Sequence, residues 1–586
     1  MKHYQKKTFS LGLCALCFIL AQSNLAQSPP NVSFAYNRFY NYDEVIDILK
    51  KMEKKYPQFL NLQSVGKSIQ NRDMWVMTIN NPKTGNEMDK AAMYIDGDIH
   101  GNEVQGTEAI LYTIDYLMTN YGVVDKVTQL VDERVFYLVP MVNPDGRAHW
   151  FDKKNFGGGG RGGMKPMDDD NDGLFDEDGY DDIDGDGLIL QMRKKVKFGD
   201  YRLSKEDPRL MERVPTGEFG DYENLGTEGI DNDGDGRINE DGPTGYDMNR
   251  NWPTDWQPPY VQYGASDYPF SNPETRAVGQ FILSHPNIAG VQAYHNSGGM
   301  ILRGPGDKSQ GTYPMGDQRV YDFIGKRGEE ILPFYRYMIL WKDLYTVHGG
   351  FVNWTAEGLG IFSFSNELWS SNQYYNKPSA PRGEDEDRFA ARAREQAERL
   401  KFDDYVEMGA RYVEWKPFTH PTYGEIELGG WVRETGRVPP LFMLEELCHR
   451  NAAFTLFHAD QMPLVQIDTV EVEKLSDRSY KIWVTVLNKR AMPTISQIAV
   501  KNRTNRPDII TVQGKQIEVV SAGIVTDRWM KRINLVDERP ERVLLPNGIP
   551  GNGTRTVQFI LSGSGNVEIA LDCMKGGKDR YEMNLK

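Results

Sequence analysis

Cysteine is scarce in this chain, with four residues among 586 and two of them, Cys14 and Cys17, inside the first twenty positions. Cys448 and Cys573 can make one bridge at most, so a disulfide framework in place of a hydrophobic core is excluded. Bases are outnumbered, with Lys+Arg 68 against Asp+Glu 83 and a formal net charge of -15. Nucleic acid, which calls for a basic face, does not fit that balance as a partner. Long apolar runs are missing too. The one near the N-terminus, residues 9–20, is too short and too soon followed by polar sequence to be a membrane anchor. Histidine is rare, nine in all, and five of these (His149, His285, His420, His449 and His458) have no partner at metal-ligand spacing.

What is present divides the chain into parts. Lys2, Lys6 and Lys7, the apolar run and the small residues of Ala21 to Gln27 predict a secretory signal over residues 1–26, and hence a secreted or periplasmic protein. The remaining length exceeds what one core can organise. Residues 36–462 alternate short apolar runs with amphipathic stretches, which predicts an α/β domain whose mixed β-sheet lies between helices. Residues 463–586 show period-two runs punctuated by Gly, Pro and Asn, which predicts a small all-β sandwich domain. Nothing in that segment indicates its partner.

Two stretches interrupt the α/β pattern, residues 151–245 and 376–412. In the first the periodicity disappears, and acids recur at alternate positions: Asp168, Asp170 and Asp172 before Gly173, Asp182, Asp184 and Asp186 before Gly187, and Asp231, Asp233 and Asp235 before Gly236. Residues 168–186 hold eleven acids and no base, so these side chains repel one another unless a cation gathers them. A hard, oxygen-seeking ion such as calcium needs several anionic oxygens converging where a glycine turns the chain, and structural Ca2+ is the expectation.

Chemistry concentrates elsewhere. His100-Gly101-Asn102-Glu103 follows the apolar run 91–95 and precedes a helical stretch, which places an imidazole and a carboxylate together at a strand end. Catalytic zinc takes three protein ligands of these types and leaves a position for water. His295 ends another strand, residues 291–295, and supplies a third donor. Glu367 ends the strand 361–367, where a carboxylate can take a proton from an activated water. Asn249 and Arg250 offer an amide and a guanidinium fork to an anion.

In this order, with the turn Asn143-Pro144-Asp145-Gly146 and the stretch from Leu344 through Tyr345 to Gly350, these motifs resemble the zinc metallocarboxypeptidase family typified by carboxypeptidases A and B. The resemblance implies that His100, Glu103 and His295 bind Zn2+, that Asp247 orients His100, and that Glu367 is the general base. It implies that Asn249 and Arg250 hold the terminal carboxylate of a peptide or protein substrate while Tyr345 closes over it. An arginine that polarises the scissile carbonyl is expected between the Asn-Pro-Asp-Gly turn and Asp247. The assignment made here is Arg193, with Arg161 and Arg202 as its competitors. The family places Val352 at the pocket for the terminal side chain, implying apolar or aromatic C-terminal residues unless Asp307 supplies a charge from another wall. The expected protein is thus a secreted zinc metallocarboxypeptidase. The alternatives are a zinc peptidase that trims cell-wall peptides and an inactive, calcium-stabilised binding protein on a peptidase scaffold.

Overall fold

The computed structural model describes residues 34–152, 161–168, 172–242, 245–376, 388–432 and 436–586. The expected signal segment and Asp170 lie outside the described residues. Among those described, no helix is long and apolar enough to cross a membrane.

The centre of the chain is an eight-stranded mixed sheet built from β1 (Leu60–Lys67), β2 (Asp73–Ile79), β3 (Ala91–Gly97), β4 (Arg134–Val139), β5 (Ile288–Asn296), β6 (Met300–Arg303), β7 (Arg336–Ile339) and β8 (Phe362–Leu368). Their order across the sheet is β1-β2-β4-β3-β5-β8-β6-β7. Every residue of β3, β4 and β5 is buried, as expected of strands covered on both faces. One face packs Ile110, Leu117, Phe364 and Phe454 with the helices Tyr42–Lys55, Gln105–Asn120, Met315–Ile331 and Leu444–Gln461. The other packs Tyr137, Trp252, Phe281 and Phe351. The first of these helices starts on a capping box, in which Asn41 accepts from the Glu44 amide and Glu44 accepts from the Asn41 amide.

Three neighbouring strands, β3, β5 and β8, run parallel, and their carboxyl ends share one edge. Glu367 is in register with His295, and Gly97 with Tyr294. Open α/β sheets bind their ligands at such an edge. Gly97 must be glycine there, because a Cβ would stand 2.9 Å from the backbone carbon of Gly106, where the helix Gln105–Asn120 crosses the strand end.

The two interruptions are not separate excursions. Strands Gln191–Gly199, Tyr201–Leu203, Met211–Arg213 and Gly220–Thr227 from the first pair with Tyr412–His420 and Gly424–Trp431 from the second, giving one six-stranded antiparallel sheet. Glu427 lies opposite Arg193 and Leu428 opposite Met192. The unpatterned reading of residues 151–245 is therefore corrected, and the second insert continues past residue 412 to at least Trp431. The strands of the first insert pair mostly with one another, and it is the join from Gln191–Gly199 to Gly424–Trp431, more than two hundred residues away, that leaves no local pattern. Arg209 bonds Asp404 across the two inserts at 2.7 and 2.9 Å.

Beyond Gln461 the chain forms a five-stranded and a four-stranded sheet, antiparallel throughout, around Ile482, Val484, Ile510, Phe559 and Ile569. This is the expected β-sandwich. It is bound to the α/β domain at several points: Asp317 accepts from the amides of Gln497 and Ile498, and Ser496 Oγ donates to the Gly360 carbonyl. Cys448 and Cys573 are buried and unpaired.

Candidate active site

His100, Glu103 and His295 meet at the carboxyl edge of the sheet, all three buried. His100 Nδ1 lies 3.1 Å from Glu103 Oε1, and His295 Nδ1 lies 3.0 Å from Glu103 Oε2 and 3.3 Å from His100 Nδ1. On its other side, His100 Nε2 is 2.9 Å from Asp247 Oδ1, an oxygen that also accepts from the Asn249 amide. A proton on Nε2 toward Asp247 leaves Nδ1 a bare acceptor facing a carboxylate. Positive charge is required between them, and a divalent cation supplies it for both imidazoles and the carboxylate at once. The three residues fit zinc by donor type, burial and convergence, and Asp247 stands where it fixes the tautomer of His100.

Three hydrogen-bond donors and two imidazoles surround Glu103. Arg161 Nη1 donates to Oε1 at 2.7 Å, Arg437 Nη1 to the same oxygen at 3.2 Å, and the Asn296 amide to Oε2 at 3.1 Å, in addition to the two histidines. Burial raises its carboxyl, but His100 and His295 outweigh it and hold Glu103 well below the usual carboxylate range. Asp247 is likewise raised by burial and pulled well below its ordinary value by Arg250, His100 and Arg161. Glu367 behaves in the opposite way. Burial first, and then the charge of Glu103, push it up to about 7 against the pull of His295, Arg161 and Arg437. Two glutamates at one strand edge thus carry opposed proton affinities, an arrangement found where one binds and the other transfers protons.

Asn249 and Arg250 lie beside this cluster on a single turn, Met248–Arg250. Asn249 Oδ1 accepts from the Phe351 amide, its Nδ2 is 3.5 Å from His295 Nε2, and Arg250 Nη1 donates to the Asn249 carbonyl. The turn is tied in turn to Gly349, whose carbonyl accepts from the Trp252 amide. Tyr345, a few residues earlier on that segment, is about half exposed, 51%. Val352 is buried in an apolar cluster with Tyr94, Met248, Val347 and Phe351. Asp307 caps the short turn Lys308–Gln310 by accepting from the Ser309 amide.

The structure corrects the arginine assignment. Arg193 is buried in the insert sheet, where its Nε donates to Glu427 at 2.7 Å and its guanidinium lies over Tyr222 and Trp415. Arg202 pairs with Glu212 and Glu218 in the same sheet. Arg161 is the arginine at the centre, on Glu103 and 3.6 Å from Asp247. Its placement follows from backbone bonds: the Arg161 carbonyl accepts from the Gly101 amide, and Asn143 Nδ2 holds the neighbouring Gly162 carbonyl. Arg437, which also bonds the Asn296 carbonyl, was not foreseen, since it arrives from a loop with no motif of its own.

The acidic loops form compact turns. Asp182 accepts from the amides of Gly185, Asp186 and Gly187, and Asp231 from those of Gly234 and Gly236. Carboxylates converge in four groups: Asp231, Asp233 and Asp235; Asp182, Asp184 and Glu228; Asp178, Asp233 and Glu240; and Asp172, Glu177 and Asp233. Asp168 and Asp186 belong to none of these groups among the described residues, and their carboxylates accept from nearby amides instead. Glu228, Glu240 and Glu177 join the groups from outside the alternating pattern, and Asp178 joins from the end of its first stretch.

Comparison with known proteins agrees with this geometry. A zinc carboxypeptidase family model matches residues 45–171 and 222–391, and a domain of unknown function matches residues 464–584. Human carboxypeptidase D is 33% identical over 126 residues, 22% of this chain and 9% of that protein. Mouse carboxypeptidase M is 28% identical over 109 residues, 19% of this chain and 25% of that protein. The chain thus aligns with a quarter or less of the length of these relatives. Among solved structures, thrombin activatable fibrinolysis inhibitor is similar with a TM-score of 0.42 at 16% identity, covering 73% of this chain and 76% of that one.

Proposed function

The chain belongs to the zinc carboxypeptidase family, and from that premise we propose that it is a secreted or periplasmic exopeptidase that removes single residues, apolar or aromatic, from the C-termini of peptides or proteins. The observation that carries the reading is the buried convergence of His100, Glu103 and His295 with Glu367 in register beside His295. A zinc ion held by those three residues would polarise the scissile carbonyl and lower the pKa of a water. Glu367 takes the proton of that water and passes it to the departing amine. Arg161 stabilises the negative charge that develops on the carbonyl oxygen, since it is the guanidinium nearest the ligands. Asn249 and Arg250 hold the free terminal carboxylate, and the exposed Tyr345 closes over it. Val352 and its apolar cluster favour an uncharged terminal side chain, because a cation buried there without a partner is costly. The amino-terminal segment supports export, and the aligned aspartates with Glu228 support Ca2+ as a structural ion.

The test uses purified protein and peptides ending in Phe, Leu, Lys or Arg, free and amidated, with and without a zinc chelator. Hydrolysis of the free apolar peptides alone, abolished by the chelator and restored by zinc, is the expected result. Cleavage of amidated peptides at equal rates counts against the roles of Asn249 and Arg250. Faster release of Lys or Arg, lost in Asp307→Ala, moves the specificity from Val352 to Asp307.

A further inference from the structure

A cavity of about 280 Å³ lies beside the catalytic centre, lined by Ser297, Gly298, Trp369, Ser370, Glu395, Arg399 and neighbouring residues. Its floor consists of the residues that follow the catalytic strands directly. Ser297 is two residues past His295, Trp369 is two past Glu367, and the Gly298 amide bonds the carbonyls of Leu368 and Trp369. Its far wall is the helix Arg388–Phe402 of the second insert. Gly436 closes one side, accepting from Ser297 Oγ, and the next residue is Arg437, which bonds Glu103. The cavity therefore shares a wall with the metal-type centre but includes neither Asn249 nor Arg250 in its lining.

We propose that this cavity receives an acidic side chain of the peptide substrate, from a residue on the amino-terminal side of the scissile bond, and that Arg399 recognises its carboxylate. The inference rests on the peptidase reading above. With the terminal carboxylate at Asn249 and Arg250 and the scissile bond over His295 and Glu367, the rest of the peptide leaves past Ser297 and Trp369, the floor of the cavity. Arg399 lies over the Trp431 ring at 4.0 Å, which fixes the plane of the guanidinium. Its Nη1 and Nη2 each lie 3.8 Å from where a Cβ on Gly436 would stand, so the tip of the guanidinium borders the cavity while Nε is covered. Tyr374 bonds the guanidinium and the charges of Glu395 and Glu407 act on it, and an anionic oxygen entering the cavity would add a charge-assisted bond at that tip. The lining otherwise offers hydroxyl and amide groups from Ser297, Ser370, Ser371 and Asn372, with the exposed Glu395 as the one acid.

The experiment compares kcat/KM for peptides that share a C-terminal residue and carry Glu, Gln or Lys at the first, second or third position before the scissile bond. At one of these positions Glu is expected to exceed Gln by about tenfold, the size of one charge-assisted hydrogen bond in a recessed site. Arg399→Gln should bring that ratio close to one. Glu395→Gln, at an exposed position that threatens folding little, should raise it by removing a competing carboxylate. The proposal is overturned if the wild type shows no preference for Glu at any of the three positions, if the preference survives Arg399→Gln, or if Glu395→Gln leaves the ratio unchanged. Where Arg399→Gln fails to fold, the Glu395→Gln ratio alone decides. Failure of the wild type to hydrolyse any of the peptides overturns the peptidase reading itself and the cavity assignment with it, whereas hydrolysis without discrimination overturns the cavity alone.

Discussion

Glu103 at the catalytic centre and Asp182 in the first insert are both carboxylates crowded by hydrogen-bond donors, yet they are built on different plans. The donors of Glu103 come from Arg161, Arg437 and Asn296, on three separate segments of the chain, and the imidazoles of His100 and His295 face it as well. Those of Asp182 are the amides of Gly185, Asp186 and Gly187, all within five residues. The centre is therefore a product of tertiary structure, and the acidic loops are a product of local sequence. A buried arrangement of that kind fixes proton affinities but leaves an uncompensated charge whenever one member is lost. The exposed loops can be repeated along the chain because each is specified by itself.

The sharpest way to break the comparison is at Glu367. Glu367→Gln keeps the shape of the strand end and removes the proton acceptor, so turnover should fall by about three orders of magnitude or more while zinc content stays stoichiometric. His295→Ala should lose the metal itself. Near-normal turnover in the first variant, or full zinc occupancy in the second, removes that residue from its assigned role. Arg161→Ala comes next, with an expected loss of about 10²–10³ in kcat and a smaller change in KM, as for removal of one donor to a developing oxyanion. A loss confined to KM would make Arg161 a binding residue only.

The loops predict an effect on stability rather than on chemistry. Excess calcium, at fixed zinc, should raise the melting temperature by several degrees over a chelator, because an ion bound only by the folded chain stabilises it by mass action. Asp233→Asn should weaken that response most, since Asp233 belongs to three of the four converging groups. Identical melting with and without calcium ends the structural-ion reading.

Legibility in the sequence follows the same division. His100, Glu103, His295 and Glu367 could be read because each lies at the end of an apolar run whose strand pairs within the main sheet. Asn249 and Arg250 could be read from one short turn. The acidic loops were legible as loops, but the acids that join them from elsewhere were not: Glu228 reaches Asp182 and Asp184 from more than forty positions away. Arg161 was obscured because the resemblance supplies an arginine between two landmarks without a spacing that survives an insertion. The joining of the two inserts into one six-stranded sheet was illegible for a related reason, since Gln191–Gly199 pairs on one side with nearby Gly220–Thr227 but on the other with distant Gly424–Trp431.

The seam with the β-sandwich shows buried charge with neither arrangement available. Lys575 is buried, and its Nζ donates to the Leu359 carbonyl, with no carboxylate paired to it among the described residues. Burial lowers its pKa from 10.5 to about 7. Between those values the unfolded chain holds a proton that the folded chain lacks, so stability rises with pH across this window, and the penalty is full below pH about 7. Lys575→Met should therefore melt several degrees above the wild type at pH 6 and show a smaller advantage at pH 9. An advantage independent of pH would mean that the amine keeps its proton in the folded chain just as in the unfolded one.

The smallest effect expected is at the arginine withdrawn from the centre. Arg193 bonds Glu427 and stacks on Tyr222 and Trp415, so Arg193→Ala removes two aromatic contacts and one ion pair from the insert sheet. The partner left behind, Glu427, has 34% of its side chain exposed and can be hydrated, which keeps the cost well below that of stranding a buried charge. A loss of about 1–2 kcal/mol in stability follows, a shift of a few degrees at most in a chain of this size. Activity should change by less than about twofold once the protein is folded, in contrast to the loss in Arg161→Ala. The two arginines thus differ in their symptoms: one variant melts early and cleaves normally, the other cleaves slowly. If instead Arg193→Ala loses activity more than about tenfold with its melting temperature intact, the insert sheet moves during catalysis and carries Arg193 to the centre, and the separation of the two regions fails.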